Sequence, residues 1–120
     1  MNIWDKIWEL FTDKTPETFY KVIITNELVS VEHPKHGITK IKWNQITRIN
    51  LINLDIGPAG IDIWMSLIGE DEVCLIPHGH AGFEKVYEIV SKYKNFNFEN
   101  FINSMGCTDN VEFLLWEKEN

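Results

Sequence analysis

The chain reads as an α+β domain: a curved antiparallel sheet or partly open barrel of about seven strands, with an N-terminal helix and two more helices before the last strand. Three observations predict this. Apolar spacing is helical over residues 2–12, becomes alternating from Phe19 to about Ile76, and returns to a period near 3.6 at Ala81. Polar, Gly- or Pro-bearing turns separate the alternating runs at short intervals. The size and composition, 120 residues with 44% hydrophobic and 24% charged, suit one compact domain spanning 1–120.

Taken in order, Ile3, Ile7, Leu10 and Phe11 form one apolar column of the first helix, and Trp4 and Trp8 a second. Asp5, Lys6 and Glu9 make its polar residues net acidic, unlike the Lys/Arg-rich face of a membrane-surface helix. Residues 1–14 are therefore expected to pack on the protein's own sheet. Alternation then marks strands over 19–25, 28–32, 38–43, 48–54, 61–68 and 73–76, which the short turns make an antiparallel meander. His33-Pro34-Lys35-His36-Gly37 reads as a loop, and Gly57-Pro58-Ala59-Gly60 as a break. Phe83, Val86, Tyr87 and Val90 place a helix from Ala81 to about Tyr93, with Glu88 and Lys92 as an i,i+4 pair on its outer side. Asn97 is placed to cap a short helix bearing Phe98, Phe101, Ile102 and Met105, which Gly106 stops. Val111, Phe113 and Leu115 alternate with Glu112, Leu114 and Trp116 in the seventh strand.

Charge narrows the function classes. With 11 Lys+Arg against 18 Asp+Glu, the net charge of -7 opposes nucleic-acid binding, which needs cations to displace phosphate counterions. No apolar run reaches a membrane span, and charges interrupt the first apolar stretch as they would not in a signal peptide, so a cytoplasmic protein is expected. Two cysteines, Cys74 and Cys107, are too few for a disulfide framework and read as reduced thiols. His33, His36, His78 and His80 lie in loops where spacing imposes no common direction, and no His-Glu-x-x-His signature accompanies them, so neither a metal nor another cofactor is expected. Nucleophile elbow, Walker loop and dinucleotide fingerprint are all missing from the sequence, and no spacing singles out a carboxylate pair. An enzyme is not expected.

What remains is a partner-binding surface. Residues 1–20 hold 2 cations and 4 anions, residues 21–60 hold 5 and 3, and residues 61–120 hold 4 and 11. The acidity of the last segment is suited to steering a basic partner if its carboxylates converge. Five Trp, three Tyr and seven Phe exceed what a modest core requires, and aromatic rings amid carboxylates are the composition of an interface hot spot. The candidate contacts are Asp62, Trp64, Glu70, Asp71, Glu72, Glu84 and Glu88, with Trp64 as anchor and the carboxylates steering; Trp116, near Glu117 and Glu119, is the next candidate ring.

The run Trp43-Asn44-Gln45-Ile46-Thr47-Arg48-Ile49, followed by Gly57-Pro58 and Asp62-Ile63-Trp64, resembles a set of small stand-alone bacterial proteins. Ile76-Pro77 with Ala81-Gly82, Phe96-Asn97-Phe98, Ser104-Met105-Gly106 and Phe113-Leu114-Leu115-Trp116 fit the same set. The Trp-x-x-Ile-x-x-Ile element is similar to that of bacterial pleckstrin-homology-like domains, where it makes the corner between the third and fourth strands. The resemblance covers about residues 19–117, leaves the first helix as an addition, and implies a pleckstrin-homology-like sheet. Small acidic bacterial proteins without catalytic residues include immunity proteins that neutralise toxin domains, often basic nucleases. By that analogy the chain is expected to be a non-enzymatic binding protein that occludes a cationic toxin domain. The alternative is a pleckstrin-homology-like regulatory module holding an anionic ligand or peptide on Lys35, Lys40, Lys42 and Arg48.

Overall fold

The computed structural model describes residues 20–33, 37–55, 61–107 and 109–119, and of Asp55, Ile61 and Asp62 only the backbone. The N-terminal helix, Lys35, His36, the 57–60 break and the Asp62 side chain lie outside the described residues. The architecture is α+β. Among the described residues seven strands, β1 Lys21–Ile24, β2 Leu28–His33, β3 Gly37–Lys42, β4 Arg48–Asp55, β5 Ile61–Ile68, β6 Val73–Pro77 and β7 Val111–Glu117, accompany two helices, α1 Ala81–Val90 and α2 Phe98–Gly106.

The strands do not form one meander. They divide into a three-stranded sheet, β1-β2-β3, and a four-stranded sheet, β6-β5-β4-β7, every pair antiparallel, and the sheets do not close into a barrel. The division falls at a single 3-10 turn, Trp43–Gln45, where the Lys42 N–H donates to the Gln45 side-chain oxygen (3.1 Å) instead of extending a ladder. Beyond it the Thr47 N–H donates to the Ile68 carbonyl (2.7 Å), which commits the chain to the second sheet. Val29, Val31 and Ile41 of the first sheet and Ile49, Leu51, Met65, Leu67, Cys74 and Ile76 of the second belong to one buried cluster. Phe83, Val86 and Val90 of α1 belong to it too, as the helical spacing predicts.

Several expectations need correcting. His33 is not in a loop: it ends β2 opposite Gly37 and is buried, its ring edge-on to Tyr20 at 4.6 Å. The first long helix stops at Val90, because Lys92 and Tyr93 already donate to carbonyls three residues back, so Glu88 and Lys92 are not a pair within it. Trp64 is not a surface anchor. Alternation along β5 is correct as to which side chains share a face, but Ile63 to Leu67 are buried on both faces; Trp64 is 4% exposed, its ring centroid 5.9 Å from that of Tyr20.

Other local signals hold. The Asn97 side chain accepts from the Asn100 N–H (2.8 Å) as the N-cap of α2, which ends at Gly106. Ile46 and Ile49 of the Trp-x-x-Ile-x-x-Ile corner are both buried. Both cysteines are free thiols, Cys74 buried and Cys107 partly exposed. Among the described residues no helix is long and apolar enough to cross a membrane.

Candidate functional site

Four segments meet at one corner of the molecule: the 3-10 turn, the β5–β6 turn, the connection from α1 to α2, and the end of β7. Trp43 is fixed at this corner by two bonds to the β1–β2 turn, its backbone N–H to the Glu27 carbonyl (3.0 Å) and its indole Nε1–H to the Thr25 carbonyl (2.8 Å). Trp116 is brought there by a bulge in β7. Ile49 pairs with Trp116 and Asn50 with Leu114, so Leu115 is the extra residue; it is fully buried, and its carbonyl accepts from the Asn97 N–H (2.8 Å). Tyr93 meets the Trp116 ring edge-on, centroids 5.1 Å apart.

These rings, with Asn44, Ile46, Lys94, Lys118 and Glu119, line a cleft of about 510 Å³, within the range of ligand-sized pockets. Burial pushes the Tyr93 phenol above its ordinary pKa, since a phenolate there would lose hydration. Asn95 adopts a left-handed backbone (φ 70°), which Asn tolerates better than most side chains, and its amide nitrogen donates to a Glu119 carboxylate oxygen (2.8 Å).

A second depression of about 210 Å³ adjoins the first, sharing Asn44 and Lys118 and adding Gln45, Thr47, Glu70, Asp71 and Glu72. The acidic turn is closed by the Gly69 N–H donating to the Glu72 carbonyl (2.9 Å). It comes this near the Trp43 corner because residue 69 is glycine: a Cβ there would lie 2.9 Å from the Gln45 carbonyl oxygen and 3.1 Å from Ile41 Cδ1. The Lys118 N–H, donating to the Thr47 carbonyl (2.8 Å), ties the end of β7 to the same corner. Among the described residues the carboxylates of Glu70, Asp71 and Glu72 and the ammonium groups of Lys94 and Lys118 have no ion-pair partner.

The sequence-chosen residues therefore separate. Glu70, Asp71 and Glu72 share one depression beside two tryptophans, but those are Trp43 and Trp116 rather than Trp64. Glu84 and Glu88 stand exposed on α1, away from its buried Phe83, Val86 and Val90, and line neither depression. Asp62 pairs through its backbone with Leu54. Sequence reasoning missed Trp43 and Tyr93 as site residues, and the only signal for them was the excess of aromatic rings over what a core needs. Of the four cations considered for an anionic ligand, Lys40 and Lys42 are exposed on β3, whereas Arg48 belongs to the other sheet and pairs with Glu117 at 3.6 Å. Among the described residues no three His, Cys, Asp or Glu side chains cluster as a metal-ligand set. The chain matches no protein-family model, no curated protein and no solved structure with which it was compared.

Proposed function

We propose that this chain is a non-enzymatic protein-binding domain that captures a cationic partner, as an immunity protein would in covering the active site of a basic, nuclease-type toxin domain. One observation carries the reading: an aromatic cleft stands wall to wall with three carboxylates that have no ion-pair partner among the described residues. Rings that are partly buried and fixed by hydrogen bonds or ring contacts supply contact area at little entropic cost, and the carboxylates beside them steer a basic surface into register. The resemblance to pleckstrin-homology-like domains is supported by seven antiparallel strands in two sheets, with the Trp43–Ile49 corner between β3 and β4. It implies a scaffold and no activity. The anionic-ligand alternative has less behind it, since Lys40 and Lys42 lie on a different sheet from Arg48.

The test is capture and inhibition of a basic, nuclease-type toxin domain, taken from the neighbouring reading frame where one is encoded there. Stoichiometric mixing should abolish that domain's nuclease activity, and stopped-flow association should slow as salt rises. Full nuclease activity in the presence of excess chain would overturn the proposal.

A further inference from the structure

The two lobes of the corner differ in what they can hold. The ring lobe presents Trp43, Tyr93 and Trp116, and its floor includes Ile46, which is 1% exposed. Tryptophan and tyrosine faces attract cations as well as apolar groups. Here the ammonium groups of Lys94 and Lys118 belong to the same lining and are not ion-paired among the described residues, so a further cation entering the lobe meets like charge. Glu119, oriented by Asn95, offsets only one of the two. The acidic lobe has the opposite balance, three carboxylates against Lys118 alone.

Building on the cationic-partner reading, we infer that the ring lobe takes one large apolar or aromatic side chain of that partner, and that a neighbouring lysine or arginine of the same segment settles against the Glu70–Glu72 turn. The partner is thereby recognised by a two-part feature, ring and cation side by side, and not by positive charge alone. Trp43 is held by Thr25 and Tyr93 by its edge contact with Trp116, so the ring lobe is formed before the partner arrives. An acidic neighbour to the inserted ring would face Glu70, Asp71 and Glu72, which gives selectivity by repulsion as well as by attraction.

The experiment titrates the full chain with three N-acetylated, C-amidated tripeptides, Trp-Gly-Arg, Ala-Gly-Arg and Trp-Gly-Glu, following backbone amides and tryptophan indole N–H signals by NMR. Trp-Gly-Arg should shift the Trp43 and Trp116 indole signals together with the amides of residues 70–72, and bind at least roughly five-fold more tightly than either of the others. In the Lys94→Glu, Lys118→Glu double variant, which keeps every ring, Ala-Gly-Arg should gain several-fold because the bar against a cation is gone. Equal affinities for Trp-Gly-Arg and Trp-Gly-Glu, or no saturable shift up to about 10 mM, a concentration at which even millimolar affinity is visible, overturn the inference. If a basic, nuclease-type domain is still captured with a salt-dependent rate in that event, the cationic-partner reading stands and only the two-part recognition falls. If capture fails as well, both fall.

Discussion

Asn53 is completely buried in β4, and its amide makes three polar contacts there. The nitrogen donates to the carbonyls of Ser104 (2.7 Å) and Cys107 (3.3 Å), and the oxygen accepts from the Ser104 hydroxyl (2.6 Å). It thus gives the Ser104 carbonyl, which already accepts from the Cys107 N–H (3.2 Å), a second donor, and supplies a donor to the Cys107 carbonyl just past the end of α2. Asn53→Leu, nearly equal in volume, should cost about 2–4 kcal/mol in urea unfolding, because the buried Ser104 hydroxyl loses its acceptor and the Ser104 and Cys107 carbonyls each lose a donor. Adding Ser104→Ala should recover part of the loss by removing one of those groups. Tyr93 predicts a pH effect of definite sign. Burial raises its folded-state pKa above the unfolded value of about 10, so on alkaline titration the unfolded chain loses this proton first. Stability contributed by the neutral phenol is complete below that pH and declines as the pH rises through the folded-state pKa. Tyr93→Phe should therefore lose less stability than the parent between roughly pH 9 and 11 in parallel urea titrations. At this scale the sequence was readable where chemistry is local, as at the Asn97 cap, and misleading at Trp64. Alternation reports which residues share a face of a strand; whether that face is covered depends on segments far away along the chain.

Helix α1 reaches the first sheet through its smallest residue. A Cβ on Gly82 would lie 2.7 Å from Val22 Cγ1 and 2.8 Å from Val22 Cβ, so helix and strand are packed at a distance only glycine allows. Gly82→Ala gains about 1 kcal/mol of helix propensity but forces α1 off β1, and a net loss of about 1–2 kcal/mol is expected. Gly106→Ala is the contrasting case: its Cβ would meet nothing within 4 Å, and the substitution should be neutral or mildly stabilising, both changes being read as shifts in the urea midpoint. The start of α1 rests on His80, whose Nδ1 accepts from the Gly82 N–H (2.9 Å). That leaves the neutral ring's proton on Nε2, which donates to the Tyr20 carbonyl (3.0 Å) and ties helix to sheet. His80→Ala should cost about 1–2 kcal/mol, and His80→Asn, which retains a cap but not the reach to Tyr20, about half as much. All seven strands and both described helices could be found from hydrophobic period, because burial on one side imposes that period on the sequence. Their partition could not. The departure of β4 into a second sheet depends on a three-residue turn, and the pairing of β7 with β4 is a contact across more than 50 residues that no local pattern encodes.

Across the whole molecule, eleven of the 18 carboxylates lie in residues 61–120, and the fold brings only some of them to the corner. Composition could show that excess, but not that Lys94 lines the ring lobe and Lys118 both lobes, since those lysines arrive from a helix connection and a strand end. The distinction between total charge and its placement yields the last prediction. Reversing Glu70, Asp71 and Glu72 to Lys changes the net charge from -7 to -1, two units at each of three positions. Reversing the exposed Glu32, Glu99 and Asp109 changes it equally but leaves both lobes of the corner untouched. If long-range attraction alone governs capture of a basic partner, the two triple variants should slow association alike and flatten its dependence on salt alike. If the corner is the docking face, the first variant should associate at least about ten-fold more slowly and also dissociate faster, because like charge then meets the partner's cations at contact distance. The second should keep the parental dissociation rate and lose only the diffuse part of the steering. Stopped-flow rates at several ionic strengths separate the cases, with unfolding midpoints confirming that both variants are folded. Equal effects from the two triples would leave the corner no special part in binding and return the acidity to a property of the surface as a whole.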